Sequence, residues 1–136
     1  KKCMSFPHSN TVLFKSNVDN VVESLSHHKK VIALYLFGSQ LTSNARKDSD
    51  IDIAVVMDKP NRKEELEIMG YCSDKIDISI LHRLPLAIQF RVLKEGKLLY
   101  CNNSLKLHRI KIFVIKYYLD FASFINKFYR RVIDNV

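Results

Sequence analysis

The chain has 136 residues, three cysteines and a formal charge of +8, from 22 Lys and Arg against 14 Asp and Glu. This length accommodates one core, and the charge favours an anionic partner such as a nucleotide or a nucleic acid. Cys3, Cys72 and Cys101 lack the spacing of a zinc site, so we expect reduced thiols in a cytoplasmic protein. No window approaches the ~20 apolar residues that cross a bilayer, and we expect no membrane contact.

The first half of the chain is predicted to form one helix followed by two strands. Apolar residues at helical spacing predict the helix over residues 16–28. The continuous apolar run 31–37 is typical of a strand that is covered on both faces, and it stops at Gly38. Isoleucines alternating with aspartates after residue 50 predict the second strand. Because the connection 38–49 is short, the two strands are predicted to pair like a hairpin.

The second half is predicted to add three helices and two strands. A charged surface helix is predicted over residues 62–69 and a strand over 75–81. A further helix is predicted over 85–95 and a short strand over 97–101. The tail that follows contains no Gly or Pro and is predicted to form one long helix or two joined ones. This order predicts an α+β fold with a small mixed sheet flanked by helices. We expect a core over residues 1–104 and a helical extension over 105–136.

Asp50 and Asp52 alternate with apolar residues on the second strand. Residues i and i+2 of a strand point to the same side, so the two carboxylates project together while Ile51 and Ile53 enter the core. Their Cα atoms would lie ~6.6 Å apart, and two like charges beside an apolar core are costly unless a cation lies between them. Carboxylate oxygens without His or Cys favour Mg²⁺ or Mn²⁺ over zinc, so the pair is predicted to bind such an ion together with substrate phosphates.

Asp77 is a lone acid on the Ile-rich third strand. If this strand lies beside the second one, Asp77 joins Asp50 and Asp52, and three carboxylates can hold two ions. Two ions roughly 3.5 to 4 Å apart would activate an attacking oxygen at a phosphorus and stabilise the leaving pyrophosphate. Asp77 is also a candidate to accept the proton of the attacking hydroxyl.

Gly38 and Ser39 follow the first strand directly. A residue without Cβ lets the backbone approach a phosphate, which exposed N–H groups and the Ser39 hydroxyl can bind. An isolated Gly-Ser more often ends a strand, and an isolated Asp-x-Asp is more often a solvated strand face. Their conjunction with Asp77 favours a phosphate-binding site over these readings.

This conjunction resembles the signature of the DNA polymerase β-like nucleotidyltransferases. The signature is a Gly-Ser pair, ten residues and Asp-x-Asp, here Gly38-Ser39 and Asp50-Ile51-Asp52. With the KIDISIL strand of Asp77 and the EGKLLY segment at 95–100, residues 18–101 resemble the minimal nucleotidyltransferase branch. YYLD and FYRR in the tail are further similar to the MntA antitoxins.

The resemblance implies a polymerase β-like fold and a role for each site residue. Gly38 and Ser39 would hold the nucleotide triphosphate, and Asp50, Asp52 and Asp77 would bind Mg²⁺, with Asp77 also activating the acceptor hydroxyl. An arginine and a glycine that are common in the family after the Gly-Ser are absent. Among the residues that follow here, Arg46 and Lys47 are candidates for the missing positive charge.

The resemblance to MntA antitoxins further implies a partner and a reaction. In such proteins ATP donates AMP to a tyrosine of a HEPN ribonuclease toxin, HepT, which is thereby silenced. The chain lacks the Arg-x4–6-His signature of the toxin itself. Two alternatives stay open, an antitoxin that neutralises its toxin by binding alone, and nucleotidyl transfer to another protein or to a small molecule.

The tail from Leu105 onward carries apolar residues around more than half of its circumference. A helix with so wide an apolar surface must be buried on more than one side. If its 31 residues form one helix, it would be ~46 Å long, which exceeds the width of a small domain. We expect part of it to contact a partner chain or to mediate self-association. Its Lys and Arg residues are expected to form a solvated strip rather than a nucleic-acid site.

Overall fold

The order of helices and strands in the computed structural model, which describes residues 12–38 and 51–135, is the predicted one. The elements are α1 (Val12–Ser26), β1 (Val31–Phe37), β2 (Ile51–Met57), α2 (Arg62–Met69), β3 (Ile76–Ile80), α3 (Leu86–Glu95), β4 (Lys97–Cys101) and α4 (Ser104–Asp134). A short 3₁₀ turn, Leu81–Arg83, joins β3 to α3. The first helix therefore begins before the predicted residue 16, and the tail forms one helix rather than two.

The four strands form one mixed sheet in the order β3-β2-β1-β4. β1 is antiparallel to both of its neighbours, and β2 is parallel to β3. The hairpin-like pairing of the first two strands is confirmed, as is the α+β class. β1 is central and nearly all of its side chains are buried, which explains its unbroken apolar sequence.

Each face of the sheet has its own apolar core. One core contains side chains of α1 and α2, including Val18, Leu25 and Ile68. The core on the other face contains side chains of α3 and α4, including Val92 and Leu107. The fold is thus a sheet between two helical layers, and the central strands β1 and β2 contribute side chains to both cores.

α4 is packed against the rest of the protein along only part of its length. Asn103 caps its first turn by accepting a hydrogen bond from the Lys106 backbone N–H at 3.1 Å. Among its described side chains only Leu107 and Val114 are buried, and the Tyr118 ring stacks on Phe90 with 4.3 Å between centroids. Within the part of the chain that the structure describes, no helix combines the length and apolarity that a membrane span requires.

α2 forms over the predicted residues 62–69, but one of its charged residues, Glu65, is buried rather than solvated. α2 begins with a capping box between Asn61 and Glu64, but the Glu65 side chain is only 3% exposed. Its carboxylate accepts hydrogen bonds from Arg83 Nε at 3.1 Å and from His82 Nε2 at 3.0 Å. A carboxylate can be buried when cationic donors compensate for lost hydration, and the residues after β3 supply those donors.

These contacts make the stability of the fold sensitive to acid. Burial acts to raise the pKa of the Glu65 carboxyl, but hydrogen bonds from Arg83 and His82 outweigh it and hold the pKa below its ordinary value of 4.5. A carboxyl with a lowered folded-state pKa stabilises the protein above its unfolded-state pKa, and this contribution is lost as the pH falls through the folded-state value.

We therefore expect Glu65→Gln to lower the free energy of unfolding at neutral pH and to flatten its decline between roughly pH 5 and pH 3. Urea unfolding followed by circular dichroism at several pH values measures both effects. The matched control is Glu67→Gln, because Glu67 lies on the same helix with an exposed side chain. A pH dependence in Glu65→Gln identical to that of the unsubstituted chain would contradict the expectation.

Candidate functional site

Asp52 on β2 and Asp77 on β3 lie side by side on one face of the sheet. The two parallel strands pair in register, with Asp52 opposite Asp77. Each aspartate lies between two isoleucines that are buried in the core under α1 and α2. Both carboxylates therefore project from the opposite face, and neighbouring strands place their backbones roughly 4.8 Å apart.

The two carboxylates differ in their access to solvent. Asp52 is half-buried and Asp77 is exposed. The difference follows from the sheet, because β2 has a neighbour on each side whereas β3 is an edge strand. A ligand approaching from solvent would meet Asp77 first, with Asp52 closer to the centre of the sheet.

Gly38 supplies the bend that faces Asp52. Its φ is +87°, in the left-handed region that glycine adopts without strain. Phe37, which precedes it, is the register partner of Asp52. A Cβ atom on residue 38 would collide with Asp52 Oδ2. The backbone conformation therefore favours glycine, and a Cβ would also force the Asp52 carboxylate to shift.

Tyr35 lies on the same face of the sheet, two residues before Phe37 on β1. It is the register partner of Ala54 and is almost completely buried. Burial raises the pKa of its hydroxyl, and the nearby Lys111 ammonium opposes this shift. The Lys111 Nζ atom lies 5.8 Å from the centre of the ring. A neutral phenol therefore lies in the core next to Ala54, two residues along β2 from Asp52.

The remaining predicted site residues, Ser39 and Asp50, lie outside the described residues. Within residues 12–38 and 51–135, no group of three or more His, Cys, Asp or Glu side chains is arranged to hold a metal ion. The described part of the site therefore supplies two carboxylates and one glycine bend. Those oxygen ligands suit Mg²⁺ or Mn²⁺, and the close contact of the Gly38 backbone with the Asp52 carboxylate places the bend directly beside them.

The carboxylate network around Glu65 was missed by sequence reasoning. Its helix has the charged composition of a solvated surface, and no periodicity separates Glu65 from its neighbours. The sequence feature that could have indicated a buried acid is the His82-Arg83 pair after β3. It indicates Glu65 only once the helix that packs beside β3 is known. Glu65 lies beneath His82 and Arg83, and is a structural ion-pair centre.

The sequence matches the family model described as polymerase beta, nucleotidyltransferase, over residues 19–105. That stretch includes Gly38, Asp52 and Asp77. A Methanocaldococcus jannaschii protein, whose name provisionally assigns it as a protein adenylyltransferase, is 38% identical over 71 residues. The match covers 52% of this chain and 57% of the relative, so the chain spans little more than half of that protein's length.

Two solved structures share the fold. A crystal structure of a toxin–antitoxin pair with AMP-PNP gives a TM-score of 0.63 at 19% identity, covering 88% of this chain and 98% of the other. A structure of a tri-AMPylated Shewanella oneidensis HEPN toxin in complex with MNT antitoxin gives 0.61 at 19% identity, with the same coverage of both chains. At such identities the similarity establishes the fold alone.

The bend at Gly38 yields a testable expectation. Gly38→Ala should lower the free energy of unfolding by about 1 to 3 kcal/mol, because alanine is strained at positive φ and its Cβ displaces the Asp52 carboxylate. Urea unfolding measures the change.

Gly70→Ala is the matched control, since Gly70 has a helical φ of −64° and no left-handed strain. Equal stabilities of the two alanine variants would show that the bend is not under the inferred constraint.

Proposed function

The chain belongs to the polymerase beta nucleotidyltransferase family, and from this premise we propose that it is an antitoxin that transfers AMP from MgATP to a tyrosine hydroxyl of a cognate HEPN ribonuclease toxin. The observation that carries the proposal is the pairing of Asp52 with Asp77 on one face, beside the bend at Gly38. A site for a nucleotide triphosphate needs hard oxygen ligands next to a backbone that phosphate can approach.

Each site residue has a proposed role. Gly38 and Ser39 bind the triphosphate, and Asp50, Asp52 and Asp77 hold two Mg²⁺ ions, which Mn²⁺ can replace. When bound, these ions supply charge stabilisation at the phosphorus and at the leaving pyrophosphate. The arrangement of Asp52 and Asp77 fits this role, because two adjacent carboxylates repel each other unless a cation lies between them.

The proposed reaction forms one bond and breaks another. The tyrosine oxygen attacks the α-phosphorus of ATP, the bond from that phosphorus to the β-phosphate bridging oxygen breaks, and pyrophosphate leaves. Asp77 accepts the proton of the tyrosine hydroxyl. Its exposure at the edge strand supports this role, since a protein acceptor must reach the proton acceptor from solvent.

The toxin partner is proposed from the relatives and from the surface of α4. One structural neighbour contains a tri-AMPylated HEPN toxin and another contains AMP-PNP. Aromatic side chains on α4, including Phe113 and Phe124, are more than half exposed, as expected of a helix that meets another chain. Cys72 and Cys101, the two cysteines described, are free thiols, in keeping with a cytoplasmic location.

The reaction can be tested with a HEPN-domain protein as the candidate acceptor. Incubation of the two proteins with α-labelled ATP and Mg²⁺ should label the partner, and mass spectrometry should locate AMP on a tyrosine. Asp52→Asn should reduce labelling by about 100-fold or more, because one carboxylate next to the phosphates is lost.

Asp19→Asn is the control for this experiment, since Asp19 lies on α1 across the sheet from the site. Labelling that survives in Asp52→Asn, or that falls equally in Asp19→Asn, would contradict the assignment of the site.

A second candidate function is neutralisation by binding alone, which the exposed apolar surface of α4 favours. The two candidates differ in cells that express the toxin. If transfer is required, Asp52→Asn should bind the toxin and yet fail to restore growth. Growth restored to the level of the unsubstituted chain by Asp52→Asn would instead establish binding as sufficient.

A further inference from the structure

An apolar groove lies between the first half of α4, the end of β2 and the turn after β3. Its volume is about 610 Å³, and most of its surface is carbon. The described residues that line it are Val56, Met57, Lys59, Pro60, Leu81, His82, Leu86, Gln89, Arg109, Ile110, Phe113, Val114 and Tyr117. We refer to it as the α4 groove.

The α4 groove is separate from the aspartate site. Val56, in its floor, lies four residues along β2 from Asp52 and points to the same face of the sheet. At about 3.3 Å per residue the two positions are roughly 13 Å apart. A molecule in the groove would therefore lie on the same face as the aspartates without contacting them.

The charges that line the α4 groove are of one sign. Among its described lining residues, Lys59 and Arg109 carry positive charge, His82 is hydrogen-bonded to Glu65, and none is acidic. Two carboxylates that adjoin lining residues are already paired, since Asp58 binds Lys106 Nζ at 2.6 Å and Glu65 binds Arg83 and His82. The groove therefore complements an apolar segment with acidic residues at its margins.

An exposed aromatic stripe on α4 continues from the groove. It comprises Phe113, Tyr117, Phe121, Phe124 and Phe128, each more than half exposed. These side chains present on the order of 600 Å² of apolar surface. That is the upper end of what monomers expose and most of the roughly 800 Å² that each partner contributes to a stable interface. From Phe113 to Phe128 the stripe extends about 22 Å along the helix.

We propose that the α4 groove and the aromatic stripe dock one amphipathic helix of a partner protein, apolar on one face and bordered by Asp and Glu. Its length would match the four turns of the stripe. A second copy of α4 is a poor occupant, because this helix carries seven Lys and Arg against two Asp, and like charges would face each other. Charge and area together select an acidic helix.

In the reaction proposed above, the docked helix belongs to the acceptor protein, and on that point the inference rests on the proposed function. Docking about 13 Å from Asp52 holds the acceptor near the site while another of its segments reaches the carboxylates. The binding property itself requires no catalysis, so it can be tested without ATP.

The test uses two fluorescein-labelled helical peptides of 16 residues and the full chain. Both carry leucines at alternating spacings of three and four on an alanine background; one has glutamates bordering the leucines and the other has lysines. Fluorescence anisotropy should show at least tenfold tighter binding of the glutamate peptide. This preference should shrink as salt is added, because the charges at the groove margin are exposed.

Variants locate the binding. Phe113→Ser and Arg109→Glu should each weaken binding of the glutamate peptide about tenfold or more, whereas Arg91→Glu, an exposed position on α3 outside the groove, should not. Phe113 is 62% exposed, so its replacement leaves the core intact, which circular dichroism verifies. Asp52→Asn should bind the peptide as the unsubstituted chain does, so failure of the active-site proposal leaves this result unchanged.

Four outcomes would overturn the inference. The first two are equal binding of the two peptides and groove variants that bind like the unsubstituted chain. The third is a dimer in light scattering that Phe113→Ser dissociates, which would make a second copy the occupant. Vesicles containing phosphatidylserine that bind the chain and displace the glutamate peptide would instead identify a lipid surface.

Discussion

The in-register parallel pairing of β2 with β3 is the constraint on which the candidate site depends. It places Asp52 beside Asp77 on one face and leaves their isoleucine neighbours in the opposite core. A shift of one residue would move the Asp77 carboxylate into that core, where an unpaired charge is costly. The isoleucine pattern that stabilises the sheet therefore also holds the two acids together. The repulsion between them is tolerable because Asp77 reaches solvent, and binding of a cation would relieve it.

The periodicity of the sequence was sufficient to predict the elements and the α+β class, because the pattern of apolar residues in a strand reflects whether one or both of its faces are buried. β1 is buried on both faces and has no polar alternation, whereas β3, at the edge, alternates strictly. The family resemblance, based on the Gly-Ser and Asp-x-Asp spacing, is confirmed by the match over residues 19–105. The roles of all five site residues remain proposals, and Ser39 and Asp50 lie outside the described residues.

Other features depend on contacts between distant segments and were beyond prediction. The sequence analysis could only assume that β3 lies beside β2, because the sequence of a strand does not reveal which strand pairs with it. The residues next to Glu65 in the sequence are those of a solvated helix. Its hydrogen-bond partners, His82 and Arg83, lie 17 and 18 residues away in the sequence. Similarly, apolar spacing predicted α4 as a helix but did not predict which turns pack on α3. The Tyr118–Phe90 stack, the buried Leu107 and Val114 and the partly buried Ile110 lie on the packed face.

The fold separates two tasks on one face of the sheet. Catalysis as proposed needs charged groups in a fixed geometry, and the strand register and the bend at Gly38 supply that rigidity. Recognition of a protein partner needs apolar area, and a helix without glycine or proline can extend past the sheet to present it. Because β2 carries Asp52 near one end and Val56 in the floor of the α4 groove near the other, one rigid strand fixes the distance between the two surfaces. A partner docked on α4 would thus be held at a defined distance from the carboxylates, so that binding energy gained on the helix reduces the entropic cost of bringing its hydroxyl to the nucleotide.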